Sequence, residues 1–103
     1  MTAFERLQAW FVSQCDGDWE HGNGITISSL DNPGWSVDIE IVGTGLENCE
    51  FQTIHRNQTD HDFLHVSRTA TEFKTRCSPN NLDEGLAIFV TGLKIRTTVH
   101  KHE

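Results

Sequence analysis

Trp35-Ser36-Val37-Asp38-Ile39-Glu40-Ile41 alternates large apolar side chains with polar ones without a break. Successive side chains of an extended chain point to opposite faces, so this pattern buries one face and wets the other, as in a half-buried antiparallel strand. Upstream, Ile25 and Ile27 alternate with Thr26 and Ser28 in the same way. Asp31-Asn32-Pro33-Gly34 separates the two runs. Pro33 presets φ and Gly34 accepts φ > 0, which predicts a type II turn centred on that pair. Downstream, Gly43-Thr44-Gly45 closes the strand. A third strand is expected around Glu50 to Arg56 and a fourth around Phe63 to Arg68, with Asn57-Gln58-Thr59-Asp60 between them and polar residues on both faces of each. The links are short, whereas parallel strands need crossovers of roughly a dozen residues or more, so an antiparallel meander over residues 24–68 is expected.

A helix is expected on either side of this sheet. Over residues 1–15, Thr2 and Glu5 have the spacing of a capping box, in which each side chain satisfies the other's backbone N–H. Phe4, Leu7 and Phe11 form a helical stripe that Trp10 widens, and Asp16-Gly17-Asp18 ends it. Over residues 80–97, Leu82, Leu86, Phe89 and Leu93 lie on one stripe, while Asp83 and Glu84 occupy the first turn, where the helix dipole favours acids. Either Ser78-Pro79 or Asn81 caps it, and Lys94 and Arg96 complement its far end. Residues 98–103 are polar and read as a frayed tail. The expected architecture is α+β, one domain over 1–103, with both helices packed on one face of a four-stranded sheet.

At 103 residues, with 36% hydrophobic and 22% charged residues, the chain suits a folded globule rather than a disordered one. A core of that size leaves no room to enclose a large cofactor, and none is expected. No run approaches the ~18 apolar residues of a membrane span. The opening Met1-Thr2-Ala3-Phe4-Glu5-Arg6 lacks the basic start and apolar stretch of an export signal, so a cytoplasmic protein is expected. Cys15, Cys49 and Cys77 are scattered and odd in number, and read as reduced thiols acting as small apolar side chains. Fifteen acids against eight bases give a net charge of −7, which repels nucleic acid and anionic lipid and attracts a basic protein.

The chemistry-bearing residues concentrate in Asp16-Gly17-Asp18-Trp19-Glu20-His21. Read as recognition, an exposed tryptophan ringed by acids offers a partner large contact area and a matching charge. Read as structure, Trp19 covers the end of the core and the acids are solvated. Read as chemistry, the carboxylates and His21 hold a hard cation in a small metal-dependent hydrolase, although the further oxygen ligands of a calcium loop are absent. Asp31 and Asn32 in the turn, together with Asp38 and Glu40 on the wet face beside Ser36, Thr26 and Ser28, form a second candidate surface, an acidic platform. His61 and His65 have chelating spacing only on a helix; on a strand four residues span about 13 Å, too far for one ion. His55 and His65 meet across a hairpin on this reading, with no third ligand. No nucleophile elbow or nucleotide-binding glycine loop is present, and acids beside Cys15 weaken it as a nucleophile.

Several of these residues resemble a known family as a set. Leu7-Gln8-Ala9-Trp10-Phe11, Gln14 through His21, Gly24-Ile25, Leu30 through Trp35 and Leu46-Glu47 are similar to the bacterial immunity 53 family, small proteins that occur beside polymorphic toxins. The likeness is strong over residues 7–47 and reduces to element order and a closing helix after Cys49. Phe11 stands where a tyrosine is expected in relatives. The resemblance implies an immunity protein that neutralises a cognate toxin and brings no active site with it; from the motifs above, neither an enzyme nor a metal site is expected. A basic nuclease, with a phosphate-binding cleft that acids would mimic, is one partner of that kind. The alternatives are the hydrolase above and a self-associating domain whose open sheet face pairs with its copy; in solution a monomer or weak homodimer is expected.

Overall fold

In the computed structural model, which describes residues 2–101 and their side chains through Thr91, three helices accompany five strands. In chain order these are α1 (Ala3–Gln14), α2 (Trp19–Gly22), β1 (Ile25–Leu30), β2 (Gly34–Glu40), β3 (Ile54–Thr59), β4 (Asp62–Arg68), β5 (Glu72–Cys77), a 3-10 turn at Pro79–Asn81, and α3 (Leu82–Lys101). Leu93, Lys94 and Arg96 lie beyond the described side chains, and His102 and Glu103 beyond the described residues.

The sheet is antiparallel, with the order β1-β2-β5-β4-β3. Two expectations are corrected here: there are five strands rather than four, and the order is not a meander. β5 is inserted between β2 and β4, pairing Val37 with Thr75 and Thr75 with Val66. Its alternation is real, since Phe73, Thr75 and Cys77 point inward while Glu72, Lys74 and Arg76 stay partly wet. The inward positions are 7%, 2% and 0% exposed. Threonine and cysteine do not register as an apolar stripe, yet both are small, β-compatible side chains that fill a face another layer covers.

The third strand is also displaced, to Ile54–Thr59 from the expected Glu50–Arg56. The carbonyls ahead of it are claimed by Arg68, which donates from Nη1 to Leu46 O and Cys49 O and from Nη2 to Glu47 O. A guanidinium offers five donors in a fixed fork, so one side chain folds this turn and carries the chain toward the far edge of the sheet. Phe51 then packs edge-on to Phe73, with ring centres 5.0 Å apart.

The turn before β2 departs from the type II expectation. The Asn32–Pro33 bond is cis, and Gly34 is the first residue of β2, with no positive φ. Glycine stands there for room, because a Cβ would lie 2.5 Å from the Cys77 carbonyl oxygen across the ladder. Gly17, by contrast, has φ of +90° and supplies the left-handed bend after α1.

α1 starts on its capping box: Thr2 N–H donates to Glu5 Oε1 (2.8 Å) and Glu5 N–H to Thr2 Oγ1 (3.0 Å). Leu7 and Trp10 are buried, whereas Phe4 stands 55% exposed. α3 lies against the inward face of the sheet, where a Cβ on Gly85 would come within 2.9 Å of Thr75 Cγ2 and Phe89 meets Phe73 edge-on at 4.9 Å. Trp10 closes on Phe89 from the α1 side at 5.1 Å. Such T-shaped pairs add about 0.5–1.5 kcal/mol each beyond their buried area. Among the described residues, no helix is long and apolar enough to cross a membrane.

Candidate functional site

The Asp16–His21 segment is a built corner between α1 and β1. Asp16 Oδ1 accepts from the N–H groups of Asp18 and Trp19, both at 2.9 Å. Glu20 reaches back with its two oxygens to the N–H groups of Asp16 (3.0 Å) and Gly17 (2.8 Å). Asp16 thereby satisfies two orphan donors at the start of α2, the task usually done by an N-cap, while Glu20 ties down the two loop donors ahead of it. Hydrogen bonds to the charged form lower the pKa of both, against a smaller opposing effect of burial. Both acids therefore stay ionised. Partial burial first, then Glu20 and Asp16, push the Cys15 thiol up, away from a reactive thiolate.

Trp19 corrects the picture of an exposed anchor. The residue is 8% exposed, its Nε1–H donates to the Val42 carbonyl at 2.8 Å, and its ring meets Trp10 and Phe11 edge-on at 6.1 and 6.0 Å. It is the hydrophobic pin that seats α2 on the core, and the carboxylates are arranged around a buried side chain. Asp18 and His21 are exposed, Asp16 is exposed, and Glu20 is half-buried. Among the described residues, none of these acids is in an ion pair with lysine or arginine, so the corner keeps its negative charge.

The second candidate surface looks different once β5 is in place. Asp38 lies between Lys74 (3.2 Å) and Arg76 (3.1 Å), and Lys74 also reaches Glu72 at 3.1 Å. Burial alone would raise the Asp38 carboxyl, but hydrogen bonds from the two cations outweigh it and leave the pKa low. The expected acidic platform is therefore partly offset at Asp38, which two bases of the unforeseen strand face, while Glu40 lies opposite Glu72 and has no ion-pair partner among the described residues. Ser36 is nearly covered within that row, while Thr26 and Ser28 on β1 are exposed. Asp31 and Asn32 are exposed at the β1–β2 turn, at the far end of β1 from the acidic corner.

The histidines separate as their spacing implied. His61 is in the β3–β4 turn, away from any helix. His55 and His65 are direct cross-strand partners with ring centres 4.1 Å apart, and Phe63 leans on His65 at 5.5 Å. His65 Nε2 is buried without a partner, and desolvation, helped by His55, lowers its pKa. Among the described residues, no three His, Cys, Asp or Glu side chains are grouped so as to hold one ion.

One surface was not read from the sequence. Phe4, Leu7, Gln8 and Phe11 of α1 line a shallow groove with Gly24, Ile25 and Ile27. The exposed Phe4 was its only sign, because the stripe reading counted that residue as core. Groove and acidic corner adjoin along the chain, since α2 runs straight into β1.

A family model described as Immunity protein 53 matches residues 4–93. The match extends well past Cys49, where individual residues had ceased to carry the likeness. Neither a curated protein nor a solved structure matches the chain.

Proposed function

The chain belongs to the immunity protein 53 family, and on that premise we propose that it binds a cognate toxin domain and holds it inactive. The observation that carries this reading is the acidic corner: carboxylates ionised and fixed by backbone bonds, yet not ion-paired among the described residues, on a chain of net charge −7. A preorganised cluster of one sign attracts a basic partner and speeds the encounter without spending conformational entropy on binding. The contact residues proposed are Asp16, Asp18, Glu20 and His21, with Asp31 and Asn32 at the other end of β1. The cationic substrate cleft of a nuclease is a partner surface of suitable charge, and covering it would exclude the substrate.

The test reverses charge where the fold does not depend on it. Asp18→Lys with Asp31→Lys leaves the backbone-binding oxygens of Asp16 and Glu20 in place. The association rate with the toxin domain encoded beside the gene should fall about tenfold at low ionic strength and lose most of its salt dependence. Unchanged association, together with unchanged protection of cells expressing the toxin, rejects this surface.

A further inference from the structure

The two edges of the sheet are finished differently. β3, at one edge, has an irregular register between Asn57 and Thr59, and its Arg56 is tied to Glu84 of α3 by two 2.7 Å hydrogen bonds. Bulges and charges of this kind are what keep an edge strand from pairing with another chain. β1, at the other edge, has an unbroken register from Ile25 opposite Ile39 to Leu30 opposite Gly34. Its sequence, Ile25-Thr26-Ile27-Ser28-Ser29-Leu30, contains neither charge nor proline.

The ladder fixes which backbone groups β1 presents. Glu40 N–H donates to Gly24 C=O at 3.0 Å, which places Gly24, Thr26, Ser28 and Leu30 in the pairs bonded to β2. The N–H and C=O groups of Ile25, Ile27 and Ser29 then point outward along the open edge. On the α1 side of that edge lies the groove of Phe4, Leu7, Phe11, Ile25 and Ile27, with Phe4 55% and Ile27 36% exposed. An unpaired row of backbone groups beside an apolar trough is the arrangement that receives an added strand: the backbone supplies affinity and alternate side chains fill the trough.

Charge decides the occupant. The uncharged strand is bracketed by acids, with Asp18 and Glu20 before it and Asp31 after it. A second copy would bring another net −7 onto the same edge, whereas a basic segment is matched at both ends. We infer that the free edge of β1 is the docking strand for the toxin: an extended segment of the partner, apolar on the groove side and basic at its ends, pairs with Ile25, Ile27 and Ser29. This rests on the toxin-binding reading above and specifies its geometry.

Ser29→Pro removes an outward N–H while leaving the bonds to β2 intact, and Ile27→Lys places a cation in the trough. Binding of the purified toxin domain encoded beside the gene is measured for the full chain and both variants, with thermal unfolding of each as the folding check. Each variant should bind at least tenfold more weakly. In the wild-type complex, amide exchange at Ile25, Ile27 and Ser29 should slow, while Thr26 and Ser28, already bonded to β2, change little. The amide pattern and Ile27→Lys decide the matter if Ser29→Pro does not fold. Full-strength binding by folded variants, with no new protection at the odd-numbered amides, overturns the docking strand and leaves toxin binding standing. Absence of wild-type binding removes both. Light scattering that shows a wild-type dimer made monomeric by Ser29→Pro assigns the edge to a second copy and overturns the basic occupant.

Discussion

Asp16 and Asp38 are both carboxylates held below their ordinary pKa, and the groups that hold them are of different kinds. Asp16 takes its hydrogen bonds from backbone N–H groups two and three residues along the chain. Asp38 takes its bonds from Lys74 and Arg76, 36 and 38 residues away. Neutral backbone donors fix a carboxylate without cancelling its charge, whereas cations fix it and cancel the field. The carboxylates around Asp16 therefore keep their charge, whereas that of Asp38 is offset by the two cations beside it. An acid-rich sequence becomes an acidic surface only where the fold supplies no bases.

The comparison breaks most severely if the pin under the corner is removed. Trp19→Ala takes away a buried indole, its bond to Val42 O and its packing on Trp10 and Phe11. A loss of about 3–5 kcal/mol is expected, read as the shift in a urea unfolding curve. The donors that fix Asp16 and Glu20 should fray with α2.

A smaller change sharpens the contrast. Asp38→Ala leaves Lys74 and Arg76 without their shared acceptor and should cost about 1 kcal/mol, as expected for partly exposed pairs. Its association rate with a basic partner should stay within about twofold of wild type, since Asp38 lies outside the Asp16–His21 corner and its loss changes the net charge of −7 by only one unit. Stopped-flow association and urea unfolding of Asp38→Ala and Asp18→Lys should therefore show opposite profiles, the first weaker in stability and the second slower in binding.

The smallest effect concerns pH. His65 titrates below its ordinary value in the fold because its ring is desolvated and faces His55, with Arg76 as its cross-strand neighbour. Below about pH 6.5 the unfolded chain takes up a proton that the folded chain refuses. The contribution is thus fully present above that pH and declines as pH falls through the depressed folded value. Urea midpoints at pH 7.5 and 5.5 should show a modest loss on acidification, and His65→Gln should flatten it. A slope unchanged by that substitution assigns the loss to other groups.

Local signals carried much of this fold into the sequence. The capping box, the alternation of β2, the pairing of His55 with His65 and the left-handed glycine after α1 each depend on residues close in the chain or on a single period. β5 was missed because burial, rather than hydrophobicity, made Thr75 and Cys77 interior. Trp19 was misjudged for the opposite reason, since acids on either side made it look exposed while its indole reached Val42, 23 residues on.

By itself the sequence determined an α+β chain of net charge −7, its first helix and its first hairpin, because propensity, capping and side-chain period act over a few residues. Only the tertiary structure decided that β5 runs through the middle of the sheet. That placement set which acids meet bases and which strand ends with an open edge, because both depend on pairings between residues far apart in the chain.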